Sequence, residues 1–258
     1  MVYNSLTEPP RNLKEGVDWL VALKGTDAEK NLAAFGAAVH KFLADKPVGF
    51  MKVEAIENVK PITKAFIGQE ELKNEPFATK LFEKFNGPVK KERPGFFGRL
   101  RKYLSTSYIE SDYSNIIEFE GADAETVTKA LHQLTSFCEQ LLEDVKIADK
   151  YESAYSGKAT WAKSCSKKPE YCAALFVGIA PMLYTGLRTL RETCQFAFQD
   201  WEKSYAEKRV GEVMQALGYK EPECRATLST LDISSVWADV PIRVLGLLYD
   251  LSGFWAFY

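Results

Sequence analysis

The stretch YCAALFVGIAPMLYTGL, Tyr171–Leu187, contains no charged residue. It either crosses a membrane or is surrounded by protein, and the rest of the chain must suit one of those outcomes. A spanning helix needs about 20 apolar residues. This stretch is shorter and holds Pro181. It therefore reads as a buried core helix, and the other segments must supply apolar faces to cover it. Val244–Tyr258 is also apolar, but Asp250 marks it as a packed terminal helix.

Those faces recur at helical spacing almost throughout. Leu13, Val17, Leu20 and Leu23 form one stripe, closed by Gly25. Asp27 is placed to cap a second helix, whose stripe is Leu32, Phe35, Val39, Phe42 and Leu43. A third covers about Val53–Phe66, with Pro61 expected to kink or divide it. One helix is read over Glu70–Phe85. Asp123 caps a strongly amphipathic helix whose apolar face runs from Val127 to Val145. Pro169 opens a long helix expected to reach Trp201 with a kink at Pro181. Ser204–Leu217 ends at Gly218, and Pro241–Tyr258 is read as one last helix. The only strand candidate is NIIEFE, Asn115–Glu120. The expected fold class is all-α. It is a multi-helix, bundle-like single domain over 1–258 with an irregular inserted excursion at about 86–120 and one or two disulfides.

Cys165 and Cys172 enclose SKKPEY just before the uncharged stretch. The spacing suits a local disulfide, which on the loop-entropy account would stabilise by about 2.5 kcal/mol. Free thiols are the alternative in a reducing compartment. Zinc is the third reading, but it favours Cys-x2-4-Cys pairs, and none occurs here. Five cysteines leave one over.

Several function classes are disfavoured. A net charge of −2 supplies no global field for nucleic acid, and base-stacking platforms normally sit on strands. The only two histidines, His40 and His132, fall on helices among apolar neighbours. No nucleophile elbow, phosphate-binding loop, dinucleotide fingerprint or His-Glu-x-x-His motif occurs. The expectation is a non-enzymatic protein with no cofactor and no metal. The N-terminus lacks the basic and apolar regions of a secretory signal peptide. That leaves a cytosolic protein, a mature fragment or export by an unconventional signal. One local imbalance stands out in PVKKERPGFFGRLRKYL, Pro88–Leu104, where six basic residues face one acid. Phe96, Phe97, Arg99, Arg101, Lys102 and Tyr103 make it the candidate binding loop, because basic and aromatic groups together favour acidic partners. The same residues also suit a solvated loop leading into a short helix.

Distinctive stretches run from PPRNLKEGVDWLVALKGTDAEKNLAAFGAAVHKFL and KPVGFMKVEAIENVK, through LLEDVKIADKYESAYSGKATWAKSCSKKPEYCA and FVGIAPMLYTGLRTLR, to ALGYKEPECRATLS and LYDLSGFWAFY. In these the chain resembles the variant erythrocyte surface antigens of babesial parasites. The resemblance is poorest around Lys90–Glu110 and Thr193–Lys208. It implies a polymorphic surface antigen on the extracellular face of infected erythrocytes, serving antigenic variation, adhesion and immune evasion. The expected partner is a host receptor, either an endothelial adhesion molecule or an immunoglobulin-like inhibitory receptor, whose acidic patch the basic, aromatic excursion could meet. Any membrane anchor is expected outside this chain. The family's recurring cysteines match Cys138, Cys165, Cys172 and Cys224, implying Cys165–Cys172 and Cys138–Cys224 pairs with Cys194 left over. The alternative is an intracellular helical scaffold of the parasite.

Overall fold

The uncharged stretch lies within one unbroken helix that the other helices surround. The computed structural model describes residues 2–87, 109–199, 203–224 and 241–258. Helices α1 (Leu13–Lys24), α2 (Ala28–Ala44), α3 (Glu54–Ile67), α4 (Glu70–Lys73) and α5 (Pro76–Lys84) come first. A 3-10 turn, Glu110–Asp112, precedes α6 (Ile116–Glu120) and α7 (Ala124–Val145). Then follow α8 (Trp161–Ser164), α9 (Pro169–Gln199), α10 (Lys203–Ala216), α11 (Ile242–Asp250) and α12 (Phe254–Phe257). The fold is all-α. No strand occurs among the described residues, and the only β-pairing there is in isolated bridges, Tyr3 with Tyr155 and Lys146 with Cys224.

Helix α9 is the axis. It packs against α1, α2, α3, α10 and α11, and α2 and α1 in turn pack on α7. Over its apolar length, Pro169–Ala197, it would qualify as a membrane span by length and composition, yet 94% of its most apolar window is buried within the fold. Leu175, Phe176, Val177, Ile179, Leu183 and Leu187 are almost wholly enclosed. Each large apolar side chain so buried contributes about 1.5–3 kcal/mol. Near its start Phe176 joins Trp19, Phe35 and Trp161 in one aromatic cluster, with ring centroids 5.4–6.4 Å apart. Farther along, Tyr184 meets Tyr249 edge-on at 5.2 Å and Phe77 at 6.1 Å. The buried apolar side chains form one continuous cluster reaching from Tyr3 to Tyr258.

The Cys165–Cys172 disulfide is formed, with Cα atoms 5.8 Å apart. It ties the residue that ends α8 to the first turn of α9. The Cys138–Cys224 pairing expected from the resemblance is not present, since both are free, buried thiols, as is Cys194. Cys138 sits on the buried face of α7. Cys224 is held in a turn by its own N–H to the Lys220 carbonyl, beside the bond from Ile147 N–H to the Glu223 carbonyl. The enclosed ring of Tyr219 stands near both sulfurs.

Other expectations need correction for local reasons. Residues 115–120 form helix α6 and not a strand. Asn115 Oδ1 accepts from the N–H groups of Ile117 and Glu118, and Gly121, at φ 63°, closes the turn. The Asn115 amide also donates to the carbonyls of Leu43, Ala44 and Lys46. One side chain thus starts α6 and satisfies carbonyls left open at the end of α2. Asp27 stands at the start of α2 without a side-chain capping bond, whereas Asp123 accepts from Thr126 N–H as expected. Helices α3 and α9 run on through Pro61 and Pro181 without dividing. Around Pro181 the Thr185 hydroxyl donates to the proline carbonyl at 2.8 Å. The helix read over Glu70–Phe85 is two, broken at Asn74–Glu75, because the residue before Pro76 is disfavoured in helical geometry. The terminal helix is likewise two, separated by Gly253 at φ 65°.

Candidate functional site

A large cavity among the described residues, about 780 Å³, is an open groove where the start of α1 meets the end of α10. Asn12 begins α1 by accepting from Glu15 N–H at 2.9 Å. Lys14 N–H donates to the Leu217 carbonyl at 3.0 Å, joining the first turn of one helix to the last turn of the other. Gly218 makes this junction possible. Its φ of +98° suits glycine, and a Cβ there would lie 2.5 Å from Asn12 Oδ1. The other wall is α3, with Pro61, Ile62, Ala65 and Phe66 giving an apolar side. Residues 152–154 complete it.

Lys14 is the most committed side chain in the groove. Its ammonium donates to the Glu152 carbonyl at 2.8 Å and lies 3.6 Å from Asp18 and 3.4 Å from Glu223. It also sits 4.5 Å from the centroid of the Tyr151 ring. Asp18, one turn deeper, accepts from the Tyr151 hydroxyl and, at 2.8 Å, from Ala154 N–H. Burial raises the Asp18 pKa and outweighs the opposing hydrogen bonds and the Lys14 charge. Burial likewise raises the Tyr151 phenol, with the neighbouring Asp18 charge adding to it. On the rim, Glu15 accepts from the Tyr3 hydroxyl at 2.9 Å and from Arg11 N–H at 2.8 Å. Tyr3 is pushed up to about 12, first by burial and then by Glu15.

These charges neutralise one another inside the protein, and the groove presents acids and bases side by side: Arg11 and Lys220 against Glu15, Glu152 and Glu223. No histidine or cysteine lines it. Among the described residues no group of three or more His, Cys, Asp or Glu could hold a metal ion. His40 Nε2 is 3.1 Å from the Ala122 carbonyl. The arrangement suits a mixed-charge contact surface better than proton transfer, because its deepest acid is enclosed and fully bonded.

No family model, no curated protein and no solved structure matches this chain.

The binding residues expected from sequence, Phe96, Phe97, Arg99, Arg101, Lys102 and Tyr103, lie outside the described residues. The groove was missed in the sequence. Lys14 and Asp18 are spaced as an ordinary exposed i,i+4 pair, and nothing local signals that residues 151–154 and 217–223 close over them. The one available clue was two charges inserted between apolar stripe positions Leu13, Val17 and Leu20.

Proposed function

We propose that this chain is a surface antigen of infected erythrocytes, related to the variant erythrocyte surface antigens of babesial parasites, whose task is to bind a host receptor. The observation that carries this reading is the Cys165–Cys172 disulfide. It forms between two of the cysteines the resemblance marks as recurring, and disulfides persist in oxidising surroundings such as cell surfaces. The division of labour suits an antigen: the helices commit their apolar faces to α9, the mixed-charge groove stays open, and the sequence Pro88–Leu104 has the basic, aromatic composition of a recognition segment. The partner is an endothelial adhesion molecule or an immunoglobulin-like inhibitory receptor, and binding serves adhesion or immune evasion.

The test is binding of the soluble chain to a panel of such receptors displayed on cells, compared with the triple variant Arg99→Glu, Arg101→Glu and Lys102→Glu. Saturable binding that the triple variant abolishes is expected. Absence of binding to every receptor on the panel, together with a parasite-cytosolic location in infected cells, would overturn the reading. A second reading, an intracellular helical scaffold, is favoured by the three free thiols Cys138, Cys194 and Cys224. Mass-spectrometric thiol counting on protein taken directly from infected cells separates the two. Five free thiols favour the scaffold, and a Cys165–Cys172 bond favours the antigen.

A further inference from the structure

A second cavity, about 330 Å³, opens between α9, α11 and Ile109. Its volume is at the lower end of the range for small-ligand sites. Two arginines of α9 border it and differ in their bonding. Arg188 is fully engaged. Its Nε donates to Glu192 at 2.7 Å, its Nη1 donates to the Tyr184 hydroxyl at 2.5 Å, and its guanidinium lies 4.2 Å from the centroid of Phe77. Arg191, three residues on, makes no hydrogen bond or ion pair with any described residue, and its Nε is closed to water with no acceptor. Leaving a buried donor unmet is destabilising, more so for a charged group. A rotation of the side chain toward the cavity it lines would bring that donor to a ligand acceptor. Tyr184 adds a second donor, because its oxygen accepts from Arg188 and leaves its own O–H to give. Beside these polar groups the wall is apolar. Leu245 and Tyr249 line the cavity, and Ile109 and Ile242 are exposed at its edge, Ile242 by 69%.

We propose that this cavity is a binding site for a carboxylate attached to an apolar or aromatic group, the carboxylate meeting Arg191 and the Tyr184 hydroxyl and the apolar part lying against Ile242 and Leu245. A guanidinium is matched to a carboxylate in shape and charge, and the apolar wall gives the flanking group its place. Of the two acids at the cavity, Glu192 is paired with Arg188. Asp250, pushed up to about 6 by burial, faces Ser111, Asp112 and Glu120 from the 3-10 turn and α6, and shares an adjoining cleft with Arg243 of its own helix and Lys129 of α7. Below that pH it ceases to oppose an anion. The site does not depend on the antigen reading, since either a free small acid or the acidic end of a partner's chain supplies the same chemistry.

The experiment is titration of the intact chain at pH 5.5, followed by NMR or calorimetry, with phenylacetate, with its neutral counterpart phenylacetamide, and with a short peptide ending in a phenylalanine carboxylate. Phenylacetate is expected to bind, phenylacetamide about tenfold or more weaker, and Arg191→Gln to weaken the acid by a similar factor. Ile242→Ser, at an exposed position, is expected to weaken it severalfold. Because Arg191 has no partner among the described residues, Arg191→Gln removes no native contact there and should not lower thermal stability, which separates lost binding from lost folding. Binding of the free acid but not the peptide identifies a small ligand as the source, and the reverse identifies a protein terminus. Equal binding of acid and amide, equal binding by Arg191→Gln, or no binding of either acid at about 20 mM, a concentration that would detect even weak millimolar affinity, overturns the proposal.

Discussion

Gly36→Ala probes the contact on which two of the longer helices depend. A Cβ at Gly36 of α2 would lie 2.1 Å from Thr128 Oγ1, 2.8 Å from Thr128 Cβ and 2.7 Å from Thr128 Cα on α7. Ordinary carbon contacts begin near 3.5 Å. The backbone atom cannot rotate away, so α2 and α7 must part by most of an ångström. Overpacking of this kind costs about 3 kcal/mol. Alanine returns about 1 kcal/mol by its better helix propensity. The net loss is about 2 kcal/mol, or about 6 °C in Tm for a chain of this length. Urea unfolding followed by circular dichroism reads it directly. Thr128→Ala on the Gly36→Ala background should recover only part of the loss, since it removes Oγ1 and leaves Cα and Cβ in place. Gly157→Ala, which meets nothing within 4 Å, is the control and should stay within about 0.5 kcal/mol of the parent. If Gly36→Ala is as stable as Gly157→Ala, the close approach of α2 and α7 is wrong.

Three further outcomes follow from named groups. Replacing Cys165 and Cys172 together by serine should cost about 2.5 kcal/mol in chemical unfolding, and dithiothreitol should bring the parent to the same midpoint. Burial pushes the Cys138 and Cys194 thiols up to about 12 and Cys224 to about 11. Iodoacetamide should therefore spare all three in native protein at pH 8 and label all three once urea unfolds it, with the disulfide intact; rapid native labelling of any one would contradict its enclosure. Asp250, raised from 3.8 to about 6 by burial, binds its proton more tightly folded than unfolded. Stability should fall as pH rises from about 4 to 6 and then level off, with a penalty of about 3 kcal/mol at neutral pH. Asp250→Asn should remove that penalty, and an unchanged pH profile in the variant would refute the assignment.

The helices were legible wherever one local signal decided them. The stripes of α1, α2 and α7, the Asp123 cap, Pro169 at the opening of α9 and the short Cys165–Cys172 spacing all act within a few residues. Asn115 shows where local reading stops. Its neighbours alternate like a strand, but its side chain is bonded both to its own first turn and to the end of α2, some seventy residues earlier. Pro76 did carry a usable signal, since the residue before proline resists helical geometry, and weighing it would have divided Glu70–Phe85 correctly. Neither cavity was legible. Lys14 acquires its partners from residues 152 and 223, and Arg191 is distinguished from Arg188 only by bonds it does not make. Both are facts about distant segments, which no periodicity encodes.

Helix α9 has a consequence for how the chain must be made. A segment that would qualify as a span until it is wrapped is a hazard on the ribosome, because insertion machinery reads hydrophobicity before tertiary structure exists. The order of synthesis reduces the exposure. Helices α1, α2 and α3, all of which pack on α9, precede it in the chain, so that part of its sheath has already been synthesised when Tyr171–Leu187 leaves the tunnel. Helices α10 and α11 arrive afterwards and finish the cover. A delay in folding the first seventy residues would be felt a hundred residues later, as a core helix presented to the cell as a transmembrane one.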